Sequence, residues 1–494
     1  MVCEKLSIKI GSAALIFLFL FVSPFSSYSQ EKAQPDIKEI SLQESILLAI
    51  RNNVTIKSAY LDRITQKFDL KVAEDKFVPK LTLTPSVQRS SSTTTGINTT
   101  TTNKTVSVAI TETIPTGATL TLTSSNAFDT TRTTETKWGS KWDISLTQPL
   151  LKGGGFDVAM APVRTARINE QINILSLKST LIDTVTSVIS AYRTFLQAVK
   201  QLEISKKSLE RAKELVTVNK ELIAAGRVAE VEIVQTEADV ANKEFDLLQT
   251  ENSMDSARLS LIKLLDIDKQ TKIVPTEKTV IEPASINYVQ SKALAFENRP
   301  DYLSSLLSIE TSKISLMLAE NNKLWDLSLT TSYGKEHVKQ GAAGTDSGSK
   351  NWSGGLKLTI PFRDLTLQQG YLSAKINLDK TELNHNKLRD NIEIEVHDTA
   401  RDVEMKLKQV KLAQQSRMLS EKKLEIETEK LKAGRSSNFQ LVTFQNDLVN
   451  AQNNELNAII NYLNSVATLD KTLGITLEKW GIKIEQRYEE AYLN

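Results

Sequence analysis

Apolar residues recur along this chain in two rhythms. In one, they fall at alternating steps of three and four: Val185, Val188, Tyr192, Phe195, Val199 and Leu202. Ile392, Val396, Val403, Leu407 and Val410 repeat the pattern later in the chain. This is the heptad spacing of helices that pack as coiled coils. It predicts long helices over 158–225 and 366–433. A further amphipathic helix follows each, over 227–265 (apolar at Leu247, Met254, Leu261 and Leu265) and over 435–473. A shorter helix precedes each set, over 41–76 and 285–323. The second rhythm has period two. "LTLTPSVQ", "VSVAITET", "TLTLTSSN" and "WDISLTQP" predict strands within 81–148, and "LSLTTSYG" and "LKLTIPF" within 327–362. Ser-, Thr-, Gly- and Asn-rich segments between them read as exposed loops.

The two halves repeat one order: helix, strands, long helix, glycine, helix. Asn52 aligns on Asn298, and "KLTLTPSV" then falls on "DLSLTTSY". The breaks "IAAGRVA" and "LKAGRSS" align Gly226 on Gly434, at an offset smaller by about 38 residues. Repeat 1 thus covers 30–265 and repeat 2 covers 285–473, with a linking segment 266–284 and a tail 474–494. The long helices reach roughly 100 Å at ~1.5 Å per residue. The two shorter helices of each half nearly match that length when stacked end to end, which builds a wall of uniform height.

Apolar-out, polar-in strands are the signature of an aqueous β-barrel in a membrane. Four to six strands cannot enclose a lumen, and an open edge in lipid leaves backbone groups unpaired. Several chains must therefore pool their strands. Three chains give twelve strands at four each, or eighteen at six each. The surplus of the first half lies around "PTGATLTLTSS", within 115–142, and reads as one extra hairpin, inside or outside the barrel wall. A small soluble sheet capping a helical rod satisfies the strand pattern as well.

Composition narrows the function. Net charge is +2 with 24% charged residues, which gives no argument for nucleic acid. Lys5, Lys9 and the apolar run "GSAALIFLFLFV" before "SYS" read as a signal peptide over 1–29, cleaved before Gln30. The only cysteine, Cys3, precedes that run, so no thiol and no lipid anchor is expected in the exported chain. After Gln30 no run of 18 consecutive apolar residues occurs, so a membrane crossing would use strands. No catalytic constellation, cofactor motif or metal spacing is present: His337, His385 and His397 are scattered. "GGG" at 153–155 lacks the Lys-Ser/Thr of a phosphate loop and reads as a flexible strand-to-helix joint. Asp301 and Glu310 read as solvated helix positions.

The doubled order, with "SLQESILLAIRNNVTIKSA", "FVPKLTLTPSV" and "LTQPLLKGGG", resembles the TolC-like outer-membrane efflux proteins over nearly the whole mature chain. The resemblance implies an α+β membrane protein. A long α-helical coiled-coil barrel, the periplasmic canal, would join a trans-subunit β-barrel, both built from two tandem repeats. It implies a homotrimer in outer-membrane lipid, a periplasmic adaptor and an inner-membrane pump of RND, ABC or MFS type. The function implied is tripartite efflux or type I secretion of small molecules, metals or proteins, with no enzyme activity. Segments 266–284 and 474–494 would form a belt around the canal.

Within that resemblance, the glycine breaks are hairpin tips that dock on the adaptor: Ala225, Gly226 and Arg227, and Ala433, Gly434 and Arg435. Family tips often read small-Gly-Leu, so both arginines are departures. Acidic residues often stand six and nine positions after the glycine. Here those positions hold Glu232 and Gln235, then Gln440 and Thr443, with Glu230 nearby. Glu230, Glu232, Gln440 and Thr443 are the gate candidates, and the second half lacks the acidic pattern of a cation-binding ring. First-turn glutamates favoured by the helix dipole are the alternative for Glu230 and Glu232. A trimeric envelope tether or periplasmic structural protein is the alternative function, but neither requires a duplication. A passive porin would need a longer strand region and no 100 Å helices.

Overall fold

The computed structural model describes residues 37–94, 97–131, 134–227, 229–277, 281, 286–340, 346–433 and 435–483. The signal segment, Gly434 and the end of the tail lie outside the described residues. In chain order the elements are β1 (Ile37–Ile40), α1 (Leu42–Asn52), α2 (Val54–Glu74), β2 (Lys80–Thr94), β3 (Ile97–Thr113), β4 (Thr119–Thr131) and β5 (Thr134–Pro149). Then come α3 (Phe156–Ala224), α4 (Glu232–Leu265), β6 (Lys272–Pro275), α5 (Tyr288–Asn298) and α6 (Pro300–Asn322). The chain ends with β7 (Asp326–Gln340), β8 (Asp346–Thr359), α7 (Leu365–Lys432), α8 (Asn438–Thr472) and α9 (Thr476–Lys479).

Helix packing forms a flat sector rather than a closed bundle. Next to the sheet, neighbours run α2-α3-α6-α7; toward the glycine turns they run α4-α3-α8-α7. The long helices α3 and α7 serve both levels, and the shorter helices stack in pairs beside them.

Each short helix expected to be continuous is bent near its start. In repeat 1 the break is at Asn53. Its Oδ1 accepts from the Thr55 and Ile56 amides (2.9 and 3.3 Å), capping α2, while its Nδ2 donates to Leu264 O at 2.8 Å. In repeat 2 the break is at Arg299-Pro300. Proline pushes the residue before it to extended geometry (Arg299 φ −68, ψ 121) and itself suits the first helical turn. The two elbows align across the repeats, Asn53 on Arg299, and set α1 against α3 and α4 and α5 against α7.

The main core sits at mid-length of α3, where Leu181, Val185, Val188 and Tyr192 meet Ile40, Ile46, Ile56, Leu261 and Leu265. α3 contains an 18-residue window apolar enough to cross a membrane by length and composition, 39% of it buried within the protein. Tyr192 straps the linking segment in place. Its hydroxyl donates to Ile40 O (3.0 Å) and accepts from the Thr276 and Glu277 amides (both 3.2 Å). β6 pairs in parallel with β1 beside it, and Leu477 of α9 packs on the same core. The described parts of 266–284 and of the tail thus pack against the mid-length of α3.

The other strands form one antiparallel sheet in the order β2-β3-β4-β5-β7-β8.

Candidate functional site: hairpin tips, open edges and sheet

At the first tip, α3 ends through a left-handed glycine. Gly226 has φ +69, its amide donates to Ile223 O (2.9 Å), and the Arg227 amide reaches back to Leu222 O (2.9 Å). That pair of bonds is the Schellman closure of a helix. Nothing lies within 4 Å of a Cβ added at Gly226, so glycine is required there by backbone angle and not by space. At the second tip Arg435 N reaches Lys430 O at 2.8 Å, the equivalent bond. Ala225, Arg227, Ala433 and Arg435 are exposed.

The returning helices start later than their expected positions 227 and 435. α4 begins at Glu232 and α8 at Asn438. The intervening residues are spent reversing direction. At the second tip Ser437 caps α8, accepting from the Gln440 amide at 3.3 Å. At the first, Val231 occupies the cap position and offers no side-chain bond.

The gate candidates fare differently. Glu230 is exposed. Glu232 is half-buried and accepts from Asn438 Nδ2 at 3.3 Å, which ties the two hairpins of one chain together. Gln440 and Thr443 are exposed on α8, with the Thr443 hydroxyl donating to its own helix at Phe439 O (2.8 Å). Beneath the second tip lies a residue that sequence reasoning missed. Glu427 is buried and accepts from Ser436 Oγ (2.6 Å) and Lys430 Nζ (3.2 Å). The Ser436 hydroxyl bond, with the lysine, holds its carboxyl below the usual range. The run "SSN" was the available signal of a capped helix start.

Asp301 is not merely solvated: it pairs with Arg299 at 2.8 Å, and Arg299 also holds Glu395 at 2.7 Å. "GGG" is a tied joint and not a flexible one. Gly155 N donates to Thr116 O (3.1 Å), and Gly153 N donates to Asn321 Oδ1 (2.7 Å). A Cβ on Gly154 would sit 2.5 Å from Pro149 O. Among the described residues no three His, Cys, Asp or Glu side chains converge as a metal site.

The sector has two open edges. One is made of β2, α2 and α4, the other of β8 and α7. Both carry exposed apolar residues at heptad spacing: Val54, Leu61 and Phe68 on α2 of the first, Met405, Leu412, Leu419 and Ile426 on α7 of the second. Such stripes in water call for a covering surface.

The sheet has one apolar and one polar face. Pairing sets Leu81, Ile110, Leu122, Ile144, Tyr333 and Trp352 on one line. The same face carries Leu83, Val108, Leu146, Leu329 and Leu356; the opposite face carries Thr82, Thr84, Ser107, Thr123, Ser145 and Ser332. Arg89, Lys104, Lys335 and Lys350 each stand one alternation beyond the last apolar residue of their strands, at the end away from the helices. Trp142 and Tyr333 pack edge to face there, with ring centres 5.6 Å apart. An apolar band edged by aromatics and long cations is how strands sit in a bilayer.

The sequence matches the family described as Outer membrane efflux protein over residues 46–266 and 292–475. No curated protein matches it. Among solved structures, the CmeC outer membrane channel of Campylobacter jejuni superposes with a TM-score of 0.69 at 17% identity, covering 90% of each chain. The outer membrane protein VceC of Vibrio cholerae gives 0.66 at 15%, covering 88% of this chain and 96% of its own. The open-state MtrE outer membrane channel of Neisseria gonorrhoeae gives 0.64 at 16%, covering 88% and 89%. The chain belongs to the outer membrane efflux protein family, a family of outer-membrane channels, and it has the TolC-like fold.

Proposed function

We propose that three copies of this chain close into a duct through the outer membrane and periplasm, the outer component of a tripartite efflux or type I secretion system. The observation that carries this reading is the alignment of open edges. β2, α2 and α4 lie unpartnered on one side and β8 and α7 on the other, so one copy's second edge meets the next copy's first at every height. An edge that pairs head to tail generates a ring when the rotation closes. Four helices at ~10 Å each give about 40 Å of wall per copy.

The hairpin tips, with Ala225, Gly226 and Arg227 and with Ala433, Gly434 and Arg435, face a periplasmic adaptor fed by an inner-membrane pump of RND, ABC or MFS type. Glu230, Glu232, Gln440 and Thr443 lie at the inner mouth. Only two of the four are acidic, and Glu232 is already bonded to Asn438, which favours steric over electrostatic gating. The cargo is a small molecule, metal ion or protein.

The test pairs one cysteine on α4 with one on α7. Crosslinked trimers in the outer-membrane fraction are expected. Deletion of the gene should raise sensitivity to toxic compounds or metals, or deplete a secreted protein. Recovery of uncrosslinked monomer in the soluble periplasm would overturn the reading in favour of a structural protein.

A further inference from the structure

Resting on that reading, we infer that all six strands of each chain stand in the barrel wall, so that the trimer closes an eighteen-stranded pore lined by hydroxyl side chains. The alternative places the β3–β4 hairpin outside a wall of β2, β5, β7 and β8. Three observations decide between them.

Pairing is the first. β3 is bonded to β2 from Lys80↔Thr111 to Thr94↔Ile97 and to β4 from Thr101↔Thr131 to Thr113↔Thr119; β4 in turn pairs β5 along nearly its whole length. β2 and β5 share no pairing. Removing the hairpin from the wall would break both outer ladders and leave β2 facing β5 unpaired in lipid.

The second is the face pattern. Val106, Val108 and Ile110 of β3 and Leu120 and Leu122 of β4 fall on the apolar face, at the levels of Leu81, Leu83, Ile144 and Leu146. Their alternates are Thr, Ser and Ala. A hairpin lying in water would have no use for this division.

The third is the anchor at the helix end. Gly117 turns from β3 to β4 with φ +90, and a Cβ there would sit 2.4 Å from Gly153 O. Gln148 Nε2 donates to Thr116 O (3.3 Å), Gly155 N donates to the same oxygen (3.1 Å), and Ala118 is buried. The turn is seated on the joint that leads into α3, in line with the wall.

Closure is geometrically consistent. The apolar run lies above the Leu81 line in β2 (Leu81 to Val87) and below it in β7 and β8 (Leu327 to Tyr333; Trp352 to Leu358). That slant of about one residue per strand corresponds to a tilt of roughly 35–40° at ~3.4 Å per residue and ~4.8 Å per strand, within the range of closed barrels. Six strands so tilted span roughly 38 Å, close to the ~40 Å of four helices, so sheet and helices meet without a step. Eighteen strands leave an aqueous channel. On its polar face Asp129 stands opposite Lys137, and Lys141 opposite Glu336, so these luminal charges offset each other.

Two measurements on the full-length membrane-inserted protein test this. Cys3 is the only native cysteine, so single-cysteine variants can be built cleanly once it is replaced. Fluorophores at Val108→Cys and Leu122→Cys are expected to be quenched by brominated lipid as strongly as those at Leu83→Cys and Ile144→Cys. Quenching of the second pair alone would overturn the inference while sparing the duct; quenching of neither pair would overturn the duct reading itself. Thr84→Cys with Lys141→Cys gives the second. The two positions are three strand steps apart, about 14 Å, beyond disulfide reach. They should stay reduced in the full chain and crosslink when residues 93–132 are replaced by an Asn-Gly turn, which sets position 84 opposite position 141. Crosslinking in the full chain would overturn the inference, and so would failure to crosslink in an excised variant that still forms trimers.

Discussion

The two repeats build the same wall by different chemistry. Repeat 1 breaks its opening helix with Asn53, repeat 2 with Arg299-Pro300. Repeat 1 inserts four strands and repeat 2 two. The glycine turns share the same backbone bond to the fifth residue before, yet Ser437 caps the second returning helix and nothing caps the first. What each half keeps is what a uniform wall requires: long-helix length, elbow position and reversal. What varies is strand number and tip chemistry.

The largest asymmetry is at mid-height. Tyr192 aligns with Ala400 when the glycines are superposed, so the strap over the linking segment exists only in repeat 1. Tyr192→Ala should cost about 3–5 kcal/mol, as a large buried side chain leaves a cavity, and Tyr192→Phe about 1–2 kcal/mol for its hydrogen bonds. Denaturant titration of the detergent-solubilised protein measures both. Equal, small losses would mean that the strap contributes nothing beyond surface contact.

At the tips, Gly226→Pro should impair adaptor docking, because proline's fixed φ forbids the left-handed turn there, and Gly434→Pro is expected to do the same at the aligned position. Gly226→Ala should cost about 1–2 kcal/mol locally, the price of a left-handed Cβ, and leave docking measurable. Adaptor crosslinking reads this out. Unchanged crosslinking in both proline variants would separate the tips from docking.

The elbows give a smaller contrast. Asn53→Ala removes a cap and the bond to Leu264 O and should cost about 1–2 kcal/mol. Pro300→Ala removes only a conformational restraint and should cost under about 1 kcal/mol. A reversed order would show that the restraint, and not the cap, sets the bend.

These sites also mark how far the sequence was legible. Heptad and period-two patterns locate the long helices and the strands because one face of each element is apolar. The elbows interrupt no apolar pattern. Asn53 sits inside a helical rhythm, and its role depends on Leu264, some two hundred residues away in sequence. "NRP" did carry a local signal, since a residue before proline leaves the helical region. Whether the extra hairpin joins the wall depends on register with β2 and β5, which alternation alone does not contain. Glu427 was invisible because its partner Ser436 becomes a neighbour only once the tip closes.

Capping predicts a further, smaller contrast between the tips. Ser437→Ala should destabilise the start of α8 by about 1 kcal/mol, whereas Val231→Ser should stabilise the start of α4 by up to about 1 kcal/mol. Hydrogen exchange of the two first turns measures both. If both substitutions loosen their helices, the first tip is held by packing that a smaller side chain breaks.

The smallest effects are in pH, and they run in opposite directions at mid-height and tip. Burial pushes the Glu277 carboxyl up, with Arg193 opposing, and burial pushes Asp470 up, with Lys479 opposing. The folded chain therefore binds these protons more tightly than the unfolded chain. Their contribution to stability is present at acid pH and is lost as pH rises through the raised values. Glu427 is the converse: held low by Ser436, it stabilises the tip above the ordinary glutamate range and loses that contribution as pH falls through its lowered value. Acidification from neutrality should first firm the region around Tyr192, then loosen the end of α7. Exchange protection, corrected for intrinsic rate, along α3 and α7 at descending pH tests the order. Ser436→Ala should move the loosening of α7 to higher pH and leave α3 unchanged. Loosening at mid-height before the tip would contradict the assignment of Glu427 as the acid-sensitive group.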